Sequence, residues 1–240
     1  MLLRSVTRHV QDQNWFAVFL DFFIVVVGVF IGIQVANWND EQGKLQDLER
    51  LLARLEVDLE VLSEDVARSK ATYYESALVI KSGVDALKAQ VALSDDVAIA
   101  VLGATTDLRW LSPVPNSFEE MVSTGGLDLL DSTEVRSALI EVQSFSQLAA
   151  LTLDFWSGPF LNASITLAKY TTTEYDRRLN SSSRKLVGVD IESMASDEEA
   201  LGALVTNLML RNNLHETSIL YEEAVEDALA SIRKREAEFH

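Results

Sequence analysis

The chain has 240 residues, no cysteine, and 37 acidic against 20 basic side chains, a formal net charge of −17. Without cysteine it has no disulfide, no thiolate nucleophile and no Cys-bound zinc, and so acidic a surface repels nucleic acid and anionic headgroups. Ten glycines and three prolines among many Leu, Ala and Glu favour long helices over sheet.

In chain order, residues 1–13 are a short basic head. Leu2, Leu3, Val6 and Val10 set against Arg4 and Arg8 predict a short interfacial helix. Arg4, Arg8, Asp12 and Asp21 sum to zero over residues 1–38, so the whole acidic excess lies beyond them. The run from Trp15 to Val35 is the strongest signal in the chain. As a helix its 21 residues rise about 31 Å, the thickness of a bilayer's hydrocarbon core. Trp15 and Trp38 bracket it as interfacial rings do, with Asn37 and Asn39 at the exit. A cleaved signal peptide has a shorter apolar region followed by an Ala-x-Ala site, which is missing here. The expectation is therefore a transmembrane anchor over residues 14–38. Charge counting across it is nearly a tie, but the short basic head and long acidic remainder favour a cytoplasmic head. In a Gram-negative cell that means an inner-membrane protein with a periplasmic domain.

Two features inside the anchor bear on function. Gly28 and Gly32 form a small-xxx-small pair, which lets a second helix approach closely. Asp21 lies about one and a half turns inside Trp15; an intramembrane carboxylate faces a partner, water or a proton path, or snorkels to the interface.

After the anchor, Leu45, Leu48, Leu52, Leu55, Leu59, Leu62 and Val66 recur at alternating steps of three and four. This heptad seam predicts a stalk helix over residues 39–92, continued by Tyr73, Ile80 and Leu87. Residues 40–82 alone span about 65 Å. The seam meets either a copy of itself or later helices of the same chain, and its spacing serves both. Residues 93–240 read as an acidic helical domain packing on that stalk. Ser94 caps a short helix, Pro113-Val-Pro115 turns the chain, and Asn116–Val122 is a helix ended by Gly125-Gly126. Asp131 with Glu134 resembles a capping box opening a helix to Trp156. Gly158-Pro159 is expected to kink or stop it, with more helix to about Tyr175. Asn180–Lys185 reads as a loop, and Ser196 with Glu199 as a capping box for a final helix to about Glu236. The fold class is all-α: an anchor helix running into a stalk, with a helical-bundle domain outside the membrane.

The chemistry sought is missing from the sequence. His9, His215 and His240 are far apart and have no metal-ligand spacing. No nucleophile elbow, phosphate loop or dinucleotide fingerprint occurs, and Ser123-Thr-Gly-Gly126 reads as a turn. No catalytic residue, metal or cofactor is expected, and the protein is read as no enzyme.

Two stretches carry a resemblance. Asp21, Gly28, Gln34, Asn37, Trp38 and Asn39 fit an anchor that opens with an acid, carries a mid-helix Gly and closes in Gln-x-x-Asn-Trp-Asn. Ser123, Gly125, Leu127, Leu129 and Arg136 loosely fit a later Ser-x-Gly-x-Leu-x-Leu segment, with Val135 where Leu is usual. Together these stretches, about a quarter of the chain, resemble a bacterial family of single-pass membrane proteins known as a domain of unknown function. The resemblance implies a helical, membrane-anchored protein and adds no catalytic residue.

The leading expectation is a scaffold or interaction protein that self-assembles or serves as accessory subunit of a larger membrane complex. Its partners would be the lipid bilayer and copies of itself or another membrane protein, and not nucleic acid. Two further expectations are a proton- or ion-coupled, stator-like subunit using Asp21 and a periplasmic ligand sensor that signals through a partner.

Overall fold

A computed structural model describes residues 15–106, 108–175 and 184–239. The head and the loop residues 180–183 discussed above lie outside the described residues. Helix α1 covers Trp15–Lys88, and the chain divides into two compact units, Met1–Arg50 and Leu51–His240. Each unit is described by itself.

The all-α expectation holds for the described residues, with one small hairpin as exception. In the second unit the elements after α1 are α2 (Asp95–Thr106), α3 (Asn116–Ser123), α4 (Gly126–Leu129), α5 (Thr133–Ala168), β1 (Thr171–Tyr175), β2 (Arg184–Val189), α6 (Ile191–Ala195) and α7 (Glu198–Phe239). Three long helices do most of the packing. Lys234 pairs with Glu134 and Arg235 with Asp131 at one end of α5 and α7, while Lys169 pairs with Glu199 at the other. These pairs make α5 and α7 antiparallel neighbours. Arg233 of α7 reaches Glu56 and Glu60 of α1, and Glu222 reaches Lys70, so α7 is antiparallel to α1 as well.

The heptad leucines explain why α1 joins this core. Leu52, Leu55, Leu59, Leu62 and Val66 are all buried by the chain's own residues. The same stripe continues through Tyr73, Ile80 and Val84. On α7, Leu204, Leu214, Tyr221, Val225 and Ile232 are buried at helical spacing. At one end Ile80, Val84, Val101, Leu102, Ala163, Leu167, Met194 and Leu204 form a single cluster drawn from α1, α2, α5, α6 and α7. A Cβ placed on buried Gly83 would lie 2.6 Å from Val101 Cγ1, so only glycine allows α2 this close to α1.

Residues 108–115 run without helix, and long side chains hold them against the core. Arg211, fully buried, donates from Nη2 to the Ala104 carbonyl at 2.9 Å. The Tyr73 hydroxyl donates to the Arg109 carbonyl, and that of Tyr221 to the Ser112 carbonyl. Ser112 donates to Asp65, and the Val114 N–H to Ser146. Only Leu111 of this segment is buried, yet its carbonyls still find partners, because the helices supply side-chain donors.

Several boundaries differ from the expectation. α5 continues through Pro159 to Ala168. Pro159 has no N–H for the Phe155 carbonyl, but both residues are exposed, so water can take that carbonyl. Helix does not reach Tyr175: Thr171-Thr-Thr-Glu-Tyr175 is strand β1, where three β-branched residues and a Tyr suit a pleated edge. It pairs antiparallel with β2, with Glu174 opposite Lys185 and an irregularity between Thr172 and Thr173. Arg184 and Lys185, expected in a loop, therefore lie in strand. Both capping boxes shift by one residue. Ser132, not Asp131, accepts from the Val135 N–H, leaving Asp131 to pair with Arg235. Asp197, not Ser196, accepts from the Glu199 N–H. Gly125 adopts φ 74°, a left-handed conformation that separates α3 from α4.

Candidate membrane and docking surfaces

In the first unit the sequence concentrates apolar residues on every side of one helix. By length and composition this helix is able to cross a membrane. Phe16, Phe19, Phe22, Phe23, Phe30 and Ile33 are all exposed, Phe16 at 73%. In water such a surface would be strongly disfavoured, at roughly 25 cal/mol for each Å² left bare.

Helical periodicity sorts these residues into faces. At 3.6 residues per turn, Asp21, Gly28, Gly32 and Asn39 fall within roughly 20° of one line along α1, Trp38 lies about 100° away, and Asn37 falls nearly opposite. Nothing lies within 4 Å of a Cβ built on Gly28 or Gly32, so the glycine pair is an open, flat surface. Asp21 shares that face and is exposed. The seam residues part at the start: Leu45 is exposed, Leu48 buried, and Leu52 onward is interior to the second unit.

The second unit presents a surface that the sequence reading missed. Helix α5 buries Val135, Leu139, Val142, Ala149, Ala163 and Leu167 on one side. On the opposite side, where polar residues are usual, stand Ile140, Leu148, Leu151, Phe155, Leu161 and Ile165. Leu151 is 66% exposed and Phe155 72%. Between Val142 and Ala168 the only charge is Asp154. The signal was available as a near-uncharged stretch of a chain carrying −17, with apolar residues too evenly spread for one buried face.

A cleft of about 330 Å³ lies between α2, the end of α5 and the hairpin, with Leu102, Leu167 and Leu186 at its base. Thr105, Thr106 and Thr171 on its wall donate their hydroxyl protons to the Leu102, Gly103 and Ala168 carbonyls. Lys185 lines the cleft as well.

The ionisable groups with perturbed titration serve structure. Burial pushes the Tyr73 hydroxyl up to about 12, with Arg211 and Arg109 pulling the other way. The hydrogen bond from Tyr170 to Asp197 raises the phenol to about 12 and lowers the carboxyl. Burial, aided by Lys70, lowers His215, which packs against the Tyr74 ring at 5.3 Å. Among the described residues no group of three His, Asp or Glu side chains is placed to hold a metal ion.

Compared with protein-family models, curated proteins and solved structures, the chain matches none.

Proposed function

We propose that this is a membrane-anchored interaction protein without enzymatic activity. The apolar part of α1 crosses the bacterial inner membrane, and the second unit is a helical bundle on the periplasmic side. The bundle presents docking surfaces to copies of itself or to a larger membrane complex. The observation that carries this reading is the run from Phe16 to Val35, whose large apolar side chains the fold leaves exposed. A bilayer covers such a surface and satisfies its backbone within the helix. The basic head and the −17 carried beyond residue 38 support the cytoplasmic-head orientation. The likeness of Asp21, Gly28 and Gln34–Asn39 to a single-pass family is part of the same proposal.

Membrane fractionation tests the anchor, and the absence of native cysteine makes topology readable with single introduced thiols. After an alkaline carbonate wash the protein is expected in the pellet. A membrane-impermeant maleimide should label Ser196→Cys in intact spheroplasts and Ser5→Cys only after lysis. Release by carbonate refutes the anchor, and the reverse labelling refutes the orientation.

A further inference from the structure

We propose that the outward apolar face of α5 is a homodimer interface, covered by the same face of a second copy. This deepens the reading above and rests on it, since a shared bilayer is what concentrates the copies. The heptad seam is not available for the purpose: Leu52, Leu55, Leu59, Leu62 and Val66 are already buried inside one chain. Self-association needs a different surface, and α5 supplies it.

The stripe is large enough. Ile140, Leu148, Leu151, Phe155, Leu161 and Ile165 fall within about 80° of Leu151 around the helix, and from Ile140 to Ile165 they span about 37 Å. With side chains of this size at the observed exposures, roughly 700 Å² of apolar surface stands bare. That exceeds the largest patch usual on a monomer, about 300–600 Å². It approaches the ~800 Å² per partner of a standard stable interface.

Charge selects the occupant. Two copies each carrying −17 repel wherever their acidic surfaces meet. Along this face the repulsion falls away, because Asp154 is the only charge between Val142 and Ala168. Asp154 lies about 60° from Leu151, toward the edge of the face, and Ser144 and Asn162 near its centre are neutral, so a two-fold contact can pair the apolar side chains of the two copies with one carboxylate each at the margin. A lipid surface fits less well. Helices that lie on headgroups flank their apolar face with Lys and Arg. Here the basic residue near the start of α5, Arg136, turns inward and donates to the Leu127 and Leu130 carbonyls.

The test uses the full-length chain in native membranes. Single cysteines replace Leu148, Leu151, Phe155 or Ile165 on the stripe, or Val57, exposed on α1, as control. A short bis-maleimide is expected to give dimers from at least two stripe positions and not from Val57→Cys. In mild detergent, native mass spectrometry should find the dimer mass. The double variant Leu151→Glu/Phe155→Glu should raise the dimer dissociation constant at least about tenfold. Its helical circular dichroism should match the parent, since both side chains point outward. Stripe cysteines that stay monomeric in carbonate-resistant membranes overturn the dimer and leave the anchor standing. So does dimer crosslinking at Val57→Cys alone, or a stoichiometric different protein dislodged by the two glutamates. Protein washed off by carbonate overturns the anchor, and the stripe crosslinks are then read in the soluble fraction.

Discussion

Replacing Gly83 by alanine sets helix propensity against packing, and the structure decides which wins. In a helix interior alanine is favoured over glycine by about 1 kcal/mol. The new Cβ, however, would lie 2.6 Å from Val101 Cγ1 and 2.8 Å from Cγ2, where ordinary contact is about 3.5–4.0 Å. Val101 cannot easily yield. It is fully buried, β-branched and therefore stiff at χ1, and wedged in the cluster with Val84, Leu102 and Leu204. Relief requires α2 to move away by on the order of 1 Å, and overpacking of this kind costs about 1–3 kcal/mol. The expected net result is a loss of about 1 kcal/mol, or a melting temperature lower by about 2–4 °C in a chain of this size. Thermal unfolding of the detergent-solubilised protein, followed by circular dichroism, measures it. Val101→Ala alone should also destabilise, by about 1–2 kcal/mol, through lost burial and a cavity. In the double variant the new Cβ occupies the space the two methyls leave, so the combined loss should be smaller than the sum by about 1 kcal/mol or more. A higher melting temperature for Gly83→Ala, with strictly additive effects in the double variant, would refute the close approach of α1 and α2.

Two further outcomes follow from particular side chains. Ser132→Ala should cost about 1 kcal/mol by uncapping α5, whereas Asp131→Ala removes an ion pair whose carboxylate is 54% exposed, though its Arg235 partner is 12% exposed, and should cost less. The opposite order in thermal melts would return the cap to Asp131. His215 is held below its ordinary value by burial and Lys70, so the unfolded chain binds its proton first. Its contribution to stability is therefore complete above about pH 6.5 and lost as pH falls through that value toward the lower folded one. Melting temperature should drop between pH 7.5 and 5, and His215→Gln should flatten that drop; an undiminished drop in the variant would assign the effect elsewhere.

Length and period made most of the helical architecture readable before the fold was seen. The seam from Leu48 to Val66 announced a long α1, and Leu204, Leu214, Tyr221 and Val225 announced its α7 counterpart, because a 3.6-residue period survives any packing partner. What the period does not carry is the partner. The seam serves a second chain or a later helix equally well, and only burial inside one chain distinguishes them. The hairpin escaped notice although Thr171–Thr173 prefers strand, because the helical stretch before it offered no stop signal. Caps slipped by one residue where two acceptors stand side by side: at Asp131-Ser132 the ion pair with Arg235 takes the aspartate, and at Ser196-Asp197 the serine hydroxyl is bound to the Ser193 carbonyl. The outward stripe of α5 was hidden for a different reason. A helix apolar on most sides reads as deeply buried, and exposure depends on which neighbours the chain brings up.

The side chains that hold the irregular segment between α2 and α3 have a bearing on biogenesis. Arg211 and Tyr221 grip carbonyls of Ala104 and Ser112, each more than a hundred residues earlier in the chain. Synthesis proceeds from the amino terminus, so α1 leaves the ribosome long before α7, to which Glu56, Glu60 and Lys70 are ion-paired, exists. Until residues 198–239 have been made, the heptad seam lacks its α7 neighbour and the segment after α2 lacks the Arg211 and Tyr221 clasps. Contacts of such sequence separation form slowly, and exposed seams of nascent chains attract other chains or chaperones. Closure of the second unit is thus timed by the emergence of its last helix, and a chain halted before α7 would display an adhesive leucine stripe instead of a folded domain.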